Sequence, residues 1–188
     1  MQPGLTSRPG VDAESNYVKR RDELVWLSSR GRGGNQGHAA GAFPVSYHHI
    51  SACPCLHKAA CGLTTLGYAL ADRLSIKIDG HTDAMLACYA GHGAFYAPHV
   101  DSDSSDGRRL SLVLYLNDDW HESDGGCLQI MDPELFTWQQ VSPHMGTLAV
   151  FHADSILHQV KPAYAPRYAL TVWIVRDGLE HGDWDLCD

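Results

Sequence analysis

Ala84-Met85-Leu86-Ala87-Cys88-Tyr89, Gly91-His92-Gly93, His99-Val100-Asp101 and Leu110-Ser111-Leu112-Val113-Leu114-Tyr115-Leu116 follow one another along the chain. Two apolar runs of strand length flank a glycine turn and an extended segment. Strand side chains repeat every two residues, so His99 and Asp101 point the same way. An imidazole and a carboxylate then converge on one point.

The same alternation of runs and breaks continues to the end of the chain. Strand-length runs lie at 84–91, 94–100, 109–117, 126–131, 135–141, 146–151, 156–160 and 167–175. Turn residues separate them, among them Asp132-Pro133 and Ser142-Pro143. Short strands at this spacing predict a mainly β protein, a double-stranded β-helix or jelly roll, rather than a parallel α/β sheet. Upstream, Leu56, Ala59/Ala60, Leu63, Leu66, Ala69/Leu70 and Leu74 have helical spacing. One main helix should support the sheet. Lys77-Ile78-Asp79-Gly80-His81 reads as a turn. Arg20–Leu27 reads as a charged corner entering a short strand. Residues 1–16 read as loop, and Ser28–Gly41, rich in glycine, as a mobile loop.

With 188 residues the chain is expected to be one domain, 1–188, with a sizeable core. A formal net charge of −8 argues against binding duplex nucleic acid. No apolar run is long enough to span a membrane, and no apolar segment follows Met1-Gln2-Pro3-Gly4 as in a signal peptide. The six cysteines (53, 55, 61, 88, 127 and 187) contain no CxxC pair. They read as reduced thiols, which points to the cytoplasm or nucleus.

His-x-Asp also occurs at His81/Asp83, His152/Asp154 and His181/Asp183, so spacing alone does not select His99/Asp101. A jelly roll brings distant strands together at one mouth, so a third ligand should be a late histidine near a strand end. His158 fits, with His152 and His144 as competitors. Arg167 breaks the tie by opening the run Arg167–Val175, with Ala169, Thr171 and Trp173 on its own face. An inward arginine is costly unless it meets an anion, and its planar fork suits a carboxylate. Lys161, nine residues after His152 as Arg167 is nine after His158, precedes Pro162 and opens no strand. The plainer readings are a hydrogen-bonded core histidine and a solvated arginine. His81/Asp83 and His181/Asp183 read as surface loop. Two histidines and one carboxylate are the facial triad of non-haem Fe(II) oxygenases.

Residues 79–176 resemble the catalytic core of the iron(II)/2-oxoglutarate-dependent prolyl 4-hydroxylases, closest to the hypoxia-inducible-factor prolyl hydroxylases. The resemblance rests on Ala84–Gly91, His99-Val100-Asp101, Leu114–Trp120, Gly125-Gly126 and His158–Trp173, with a weaker match at Arg20–Trp26. It implies that His99, Asp101 and His158 hold Fe(II). It implies that Arg167 and Tyr115 grip the distal carboxylate of 2-oxoglutarate, and that Tyr89, Thr171 and Trp173 line its pocket. Met85, Tyr96 and Arg108 would lie near the substrate groove. O2 would be the second cosubstrate and ascorbate the reductant. The family's first helix, strand and second helix would precede Leu5, so the domain is expected to lack those elements.

The implied activity is hydroxylation of a prolyl residue in a protein or peptide, coupled to oxidative decarboxylation of 2-oxoglutarate. Oxygen sensing is a possible use of it. The partners would be a proline-containing polypeptide, with no nucleic acid and no membrane, and the protein a monomer. The alternatives are an oxygenase acting on a free amino acid or small molecule, and a non-catalytic jelly-roll module that binds metal.

Overall fold

The computed structural model describes residues 20–28, 45–103 and 105–176. In chain order these form β1 (Glu23–Ser28), β2 (Val45–His49), α1 (Pro54–Arg73), β3 (Gly80–His81), β4 (Ala84–Tyr89), β5 (Ala94–His99) and β6 (Arg108–Tyr115). There follow β7 (Leu128–Met131), β8 (Trp138–Val141), β9 (Leu148–His152), β10 (His158–Ala163) and β11 (Arg167–Val175). Each of the eight runs read from the sequence becomes a strand, and the architecture is the expected mainly β jelly roll with one main helix. The helix starts at Pro54 rather than Leu56, because proline suits the first helical turn, where its missing N–H has no partner to lose.

The larger sheet has the order β2-β1-β4-β11-β6-β9, with β3 beside β11, and the smaller has β5-β10-β7-β8. Among the described strands β1 and β2 pair in parallel and the others antiparallel. β11 is central and buried on both faces, which is why it reads as a near-continuous apolar run. Its Leu170, Val172 and Ile174 join Leu110 and Leu112 of β6 against Ala60, Leu63 and Ala71 of α1. Its Ala169 faces the other way, into a second cluster between the sheets with Tyr115, Leu128, Phe151 and Val160. The alternation of β11 thus divides the molecule into a dry helix–sheet layer and an inter-sheet layer that holds polar groups. At Gly67 the helix comes so close to β11 that a Cβ would sit 2.5 Å from Ile174 Cγ1.

Three local readings differ from the structure. Gly80-His81 is a strand rather than a turn, and His81 is buried rather than in a surface loop. The pairing of β4 with β11 ends at Thr171↔Met85, so the backbone of Ile174 and Val175 needs new partners, which His81 and Gly80 supply. β2, which the sequence reading passed over, is held by β1. Cys61 is disulfide-bonded, against the reading of six thiols, whereas Cys53, Cys55, Cys88 and Cys127 are free. Cysteine spacing cannot report a pairing made by folding. The readings for residues 1–16, most of Ser28–Gly41 and His181/Asp183 lie outside the described residues. No described helix is long and apolar enough to cross a membrane.

Candidate active site

β5 and β10 pair with His158 directly opposite His99, so the two imidazoles start from neighbouring positions. Asp101 follows two residues past His99. Among the described residues, His99, Asp101 and His158 form the one group of three potential ligands, with their ligand atoms within 4.8 Å of one another. His99 Nε2 and His158 Nε2 each lie 3.5 Å from Asp101 Oδ1. The competitors fall elsewhere: His152 is exposed at the end of β9, and His144 is exposed beside Trp120. Lys161 is exposed on β10.

The protons of the triad follow from its neighbours. His99 Nδ1 lies 2.8 Å from the Ala97 carbonyl and His158 Nδ1 3.0 Å from that of Ile156. A carbonyl oxygen only accepts, so each Nδ1 carries the hydrogen and each Nε2 is free to act as a base or ligand. Burial lowers the His99 pKa and so disfavours its imidazolium. Burial would raise the Asp101 carboxyl, but the side chains around it, the Ser111 hydroxyl among them, outweigh burial and hold it well below the usual carboxylate range. Asp101 Oδ2 accepts from Ser111 Oγ at 2.6 Å and Trp173 Nε1 at 3.1 Å, which leaves Oδ1 facing the imidazoles. Two imidazole lone pairs and a carboxylate oxygen therefore meet with no hydrogen between them. A divalent cation satisfies all three, and the backbone and hydroxyl contacts behind them are the outer support that such ligands use.

A second polar group lies deeper between the sheets. Arg167 is 3% exposed, and its Nε donates to the Gly126 carbonyl at 2.7 Å. Its Cζ lies 4.7 Å from the Tyr89 ring centroid and 4.9 Å from that of Tyr115, so the guanidinium is held by two aromatic rings. The Tyr115 hydroxyl is buried and meets no hydrogen-bond partner of normal geometry. Burial raises its pKa and the nearby Arg167 charge opposes the rise. A buried cation with no carboxylate partner among the described residues, beside an unsatisfied hydroxyl, is the complement of a carboxylate ligand. One cavity runs between this group and the triad, with Tyr89, Tyr115, Arg167, Thr171 and Trp173 all in its wall.

Of the groove candidates, Met85 and Tyr96 also line the cavity. Tyr96 stacks on His99 at 3.6 Å between ring centroids, and the Arg20 guanidinium covers its other face at 4.3 Å. Arg20 is itself paired with the buried Asp22. Arg108 instead packs outside the cavity wall, 4.3 Å over the Trp173 ring, with Nη1 donating to the Asp101 carbonyl at 3.1 Å. The sequence reading gave no role to Ser111 or to the Gly126 carbonyl. Ser111 had a local signal, a lone hydroxyl on the inner face of an apolar strand; the carbonyl had none.

Residues 84–175 match the family model of the 2OG-Fe(II) oxygenase superfamily. The chain is 44% identical over 101 residues to human "Egl nine homolog 1", covering 53% of this chain and 24% of that protein. It is 35% identical over 103 residues to the "Hypoxia-inducible factor prolyl hydroxylase" of Caenorhabditis elegans, covering 54% of this chain and 14% of the relative. The chain thus spans a quarter or less of these two curated relatives. Among solved structures, a Pseudomonas putida prolyl-4-hydroxylase matches with a TM-score of 0.66 at 28% identity, over 87% of this chain and 77% of that one. A Trichoplax adhaerens prolyl hydroxylase in complex with a hypoxia-inducible factor oxygen degradation domain peptide matches with a TM-score of 0.69 at 29% identity, over 90% and 70%.

Proposed function

We propose, starting from the match of residues 84–175 to the family model of the 2OG-Fe(II) oxygenase superfamily, that the protein is a prolyl 4-hydroxylase acting on a polypeptide in oxygen sensing. The observation that carries this reading is the pairing, in one cavity, of the His99/Asp101/His158 triad with a carboxylate-ready Arg167 and Tyr115. The sequence likeness to the Egl nine and hypoxia-inducible-factor hydroxylases supports the choice of a prolyl substrate.

His99, Asp101 and His158 would hold Fe(II) through Nε2, Oδ1 and Nε2. Bound there, the metal would supply the coupled oxidation in which 2-oxoglutarate and O2 give succinate, CO2 and one oxygen atom on the substrate carbon. Arg167 and Tyr115 would bind the distal carboxylate and so orient the keto-acid end towards the triad. Tyr89, Thr171 and Trp173 would close the wall and exclude water, while the Trp173 indole also steadies Asp101. Met85 and Tyr96, on the cavity wall, would meet the target side chain. Ascorbate would serve as reductant. We extend the reading to a monomer in the cytoplasm or nucleus whose partner is a polypeptide rather than nucleic acid, for which the net charge of −8 is ill suited.

The test is mass spectrometry of a pool of proline-containing peptides incubated with the protein, Fe(II), 2-oxoglutarate and O2. A one-oxygen gain on proline, absent with His158→Ala and reduced with Arg167→Ala, is the expected result. Succinate formed by the wild type with no peptide gain would overturn the polypeptide substrate and keep the oxygenase. Neither product would overturn both.

A further inference from the structure

Arg167 can hold a carboxylate in one place only if something holds Arg167. Its two stacking rings limit tilt but not sliding along the side-chain axis. The directional contact is the hydrogen bond from Nε to the Gly126 carbonyl. That bond uses one of the five guanidinium N–H donors and leaves the terminal amino groups free to meet a carboxylate end-on.

The Gly126 carbonyl is itself fixed by an unusual piece of backbone. Gly125 and Gly126 have φ of 64° and 70°, a conformation that glycine adopts without strain. A Cβ on Gly125 would lie 2.3 Å from the Pro162 carbonyl oxygen, and one on Gly126 would lie 2.9 Å from Arg167 Cδ. The turn is tied on two sides. Gly126 N–H donates to the Pro162 carbonyl at 2.9 Å, and the Trp120 indole Nε1–H donates to the Gly125 carbonyl at 2.9 Å. Trp120 is in turn braced edge-on against the His144 ring at 4.8 Å. An unbroken line of contacts thus runs from the half-buried Trp120, through the two glycines, to the guanidinium.

We propose that the Gly125–Gly126 turn, pinned by Trp120, is the positioning element for Arg167 and sets the affinity for the distal carboxylate of 2-oxoglutarate without touching it. The proposal rests on the reading of Arg167 as the carboxylate anchor. It separates two properties of the cosubstrate. Only the distal carboxylate feels the turn; the keto-acid end, directed at the triad, does not. A C5 keto acid that ends in a methyl group, 2-oxopentanoate, should therefore be indifferent to the turn.

Calorimetric titration of 2-oxoglutarate and of 2-oxopentanoate into the Mn(II)-loaded protein tests this without turnover. Trp120→Phe keeps an aromatic ring at this place and removes the indole N–H. It is expected to weaken 2-oxoglutarate about threefold to tenfold, the scale of one neutral hydrogen bond, and to leave 2-oxopentanoate within about twofold. Gly126→Ala drives a methyl group against the arginine stem and should weaken the diacid about tenfold or more. Arg167→Ala should bring the diacid down to the affinity of the monoacid. Equal weakening of both acids by Trp120→Phe would mean a general structural role and would overturn the proposal. So would wild-type affinity in both turn variants while Arg167→Ala binds poorly. Wild-type diacid affinity in Arg167→Ala would remove the anchor itself, and with it the reading on which the proposal stands. Trp120→Phe, the milder change, keeps the test decisive where Gly126→Ala does not fold.

Discussion

Tyr115→Phe should push stability and cosubstrate affinity in opposite directions. Tyr115 is 0% exposed, and its hydroxyl, close to the Arg167 guanidinium, meets no hydrogen-bond partner of normal geometry among the described residues. Leaving such a group buried and unsatisfied costs about 1–3 kcal/mol. Phenylalanine keeps the ring, its packing with Phe151 and Ala169, and its face towards Arg167, and removes only the oxygen. The metal-free, 2-oxoglutarate-free protein is therefore expected to gain about 1 kcal/mol, a rise in Tm of about 2–4 °C for a chain of this size. The same oxygen is placed to donate to a carboxylate, and a hydrogen bond to a charged group contributes about 1.5–3 kcal/mol. Affinity for 2-oxoglutarate should then fall about tenfold to a hundredfold. Thermal melts of the bare protein and calorimetry on the Mn(II)-loaded protein read the two quantities separately. A lower Tm for the bare variant would show that the hydroxyl has a partner after all. An affinity within about twofold of wild type would remove Tyr115 from the carboxylate site.

Ser111→Ala removes the 2.6 Å hydrogen bond to Asp101 Oδ2 and leaves only the longer one from Trp173. Metal affinity should drop about tenfold or more, as for other outer-shell partners, and an unchanged Co(II) titration would refute the role. Gly67→Ala adds about 1 kcal/mol of helix propensity, but its Cβ would lie 2.5 and 2.6 Å from Ile174 Cγ1 and Cδ1. Overpacking at about 1–3 kcal/mol should win, lowering the urea midpoint, and the loss should vanish in an Ile174→Ala background; a raised midpoint in the wild-type background would contradict the close approach. Burial raises the folded-state pKa of Tyr89 and Tyr115 above the ordinary tyrosine value, which the unfolded chain retains. Their contribution is therefore fully present below about pH 10 and is lost as pH rises beyond it, so urea midpoints should fall between pH 9 and pH 11, and a flat profile would contradict their burial.

The sequence by itself determined what depends on short-range order. Turn residues between strand-length runs specified eight strands, and helical spacing after Leu56 specified the helix. The two-residue period put Arg167, Ala169, Thr171 and Trp173 on the inner face, and Leu170 and Val172 on the face that meets α1. His99 and Asp101 were legible as a pair for the same reason, because two residues of extended chain carry their geometry with them. The tertiary structure decided what depends on contacts between distant segments. Only the β5–β10 register sets His158 opposite His99 and leaves His144 and His152 outside. Only the end of the β4 pairing turns Gly80-His81 from a turn into a strand. The Gly126 carbonyl that holds Arg167, 41 residues away, has no side chain to betray it. The orphaned Tyr115 hydroxyl is equally silent in sequence, since whether a buried polar atom is satisfied depends on every neighbour that folding brings to it. Periodicity is a property of a few consecutive residues; the shape and charge of a cavity belong to strands that meet only in the folded chain.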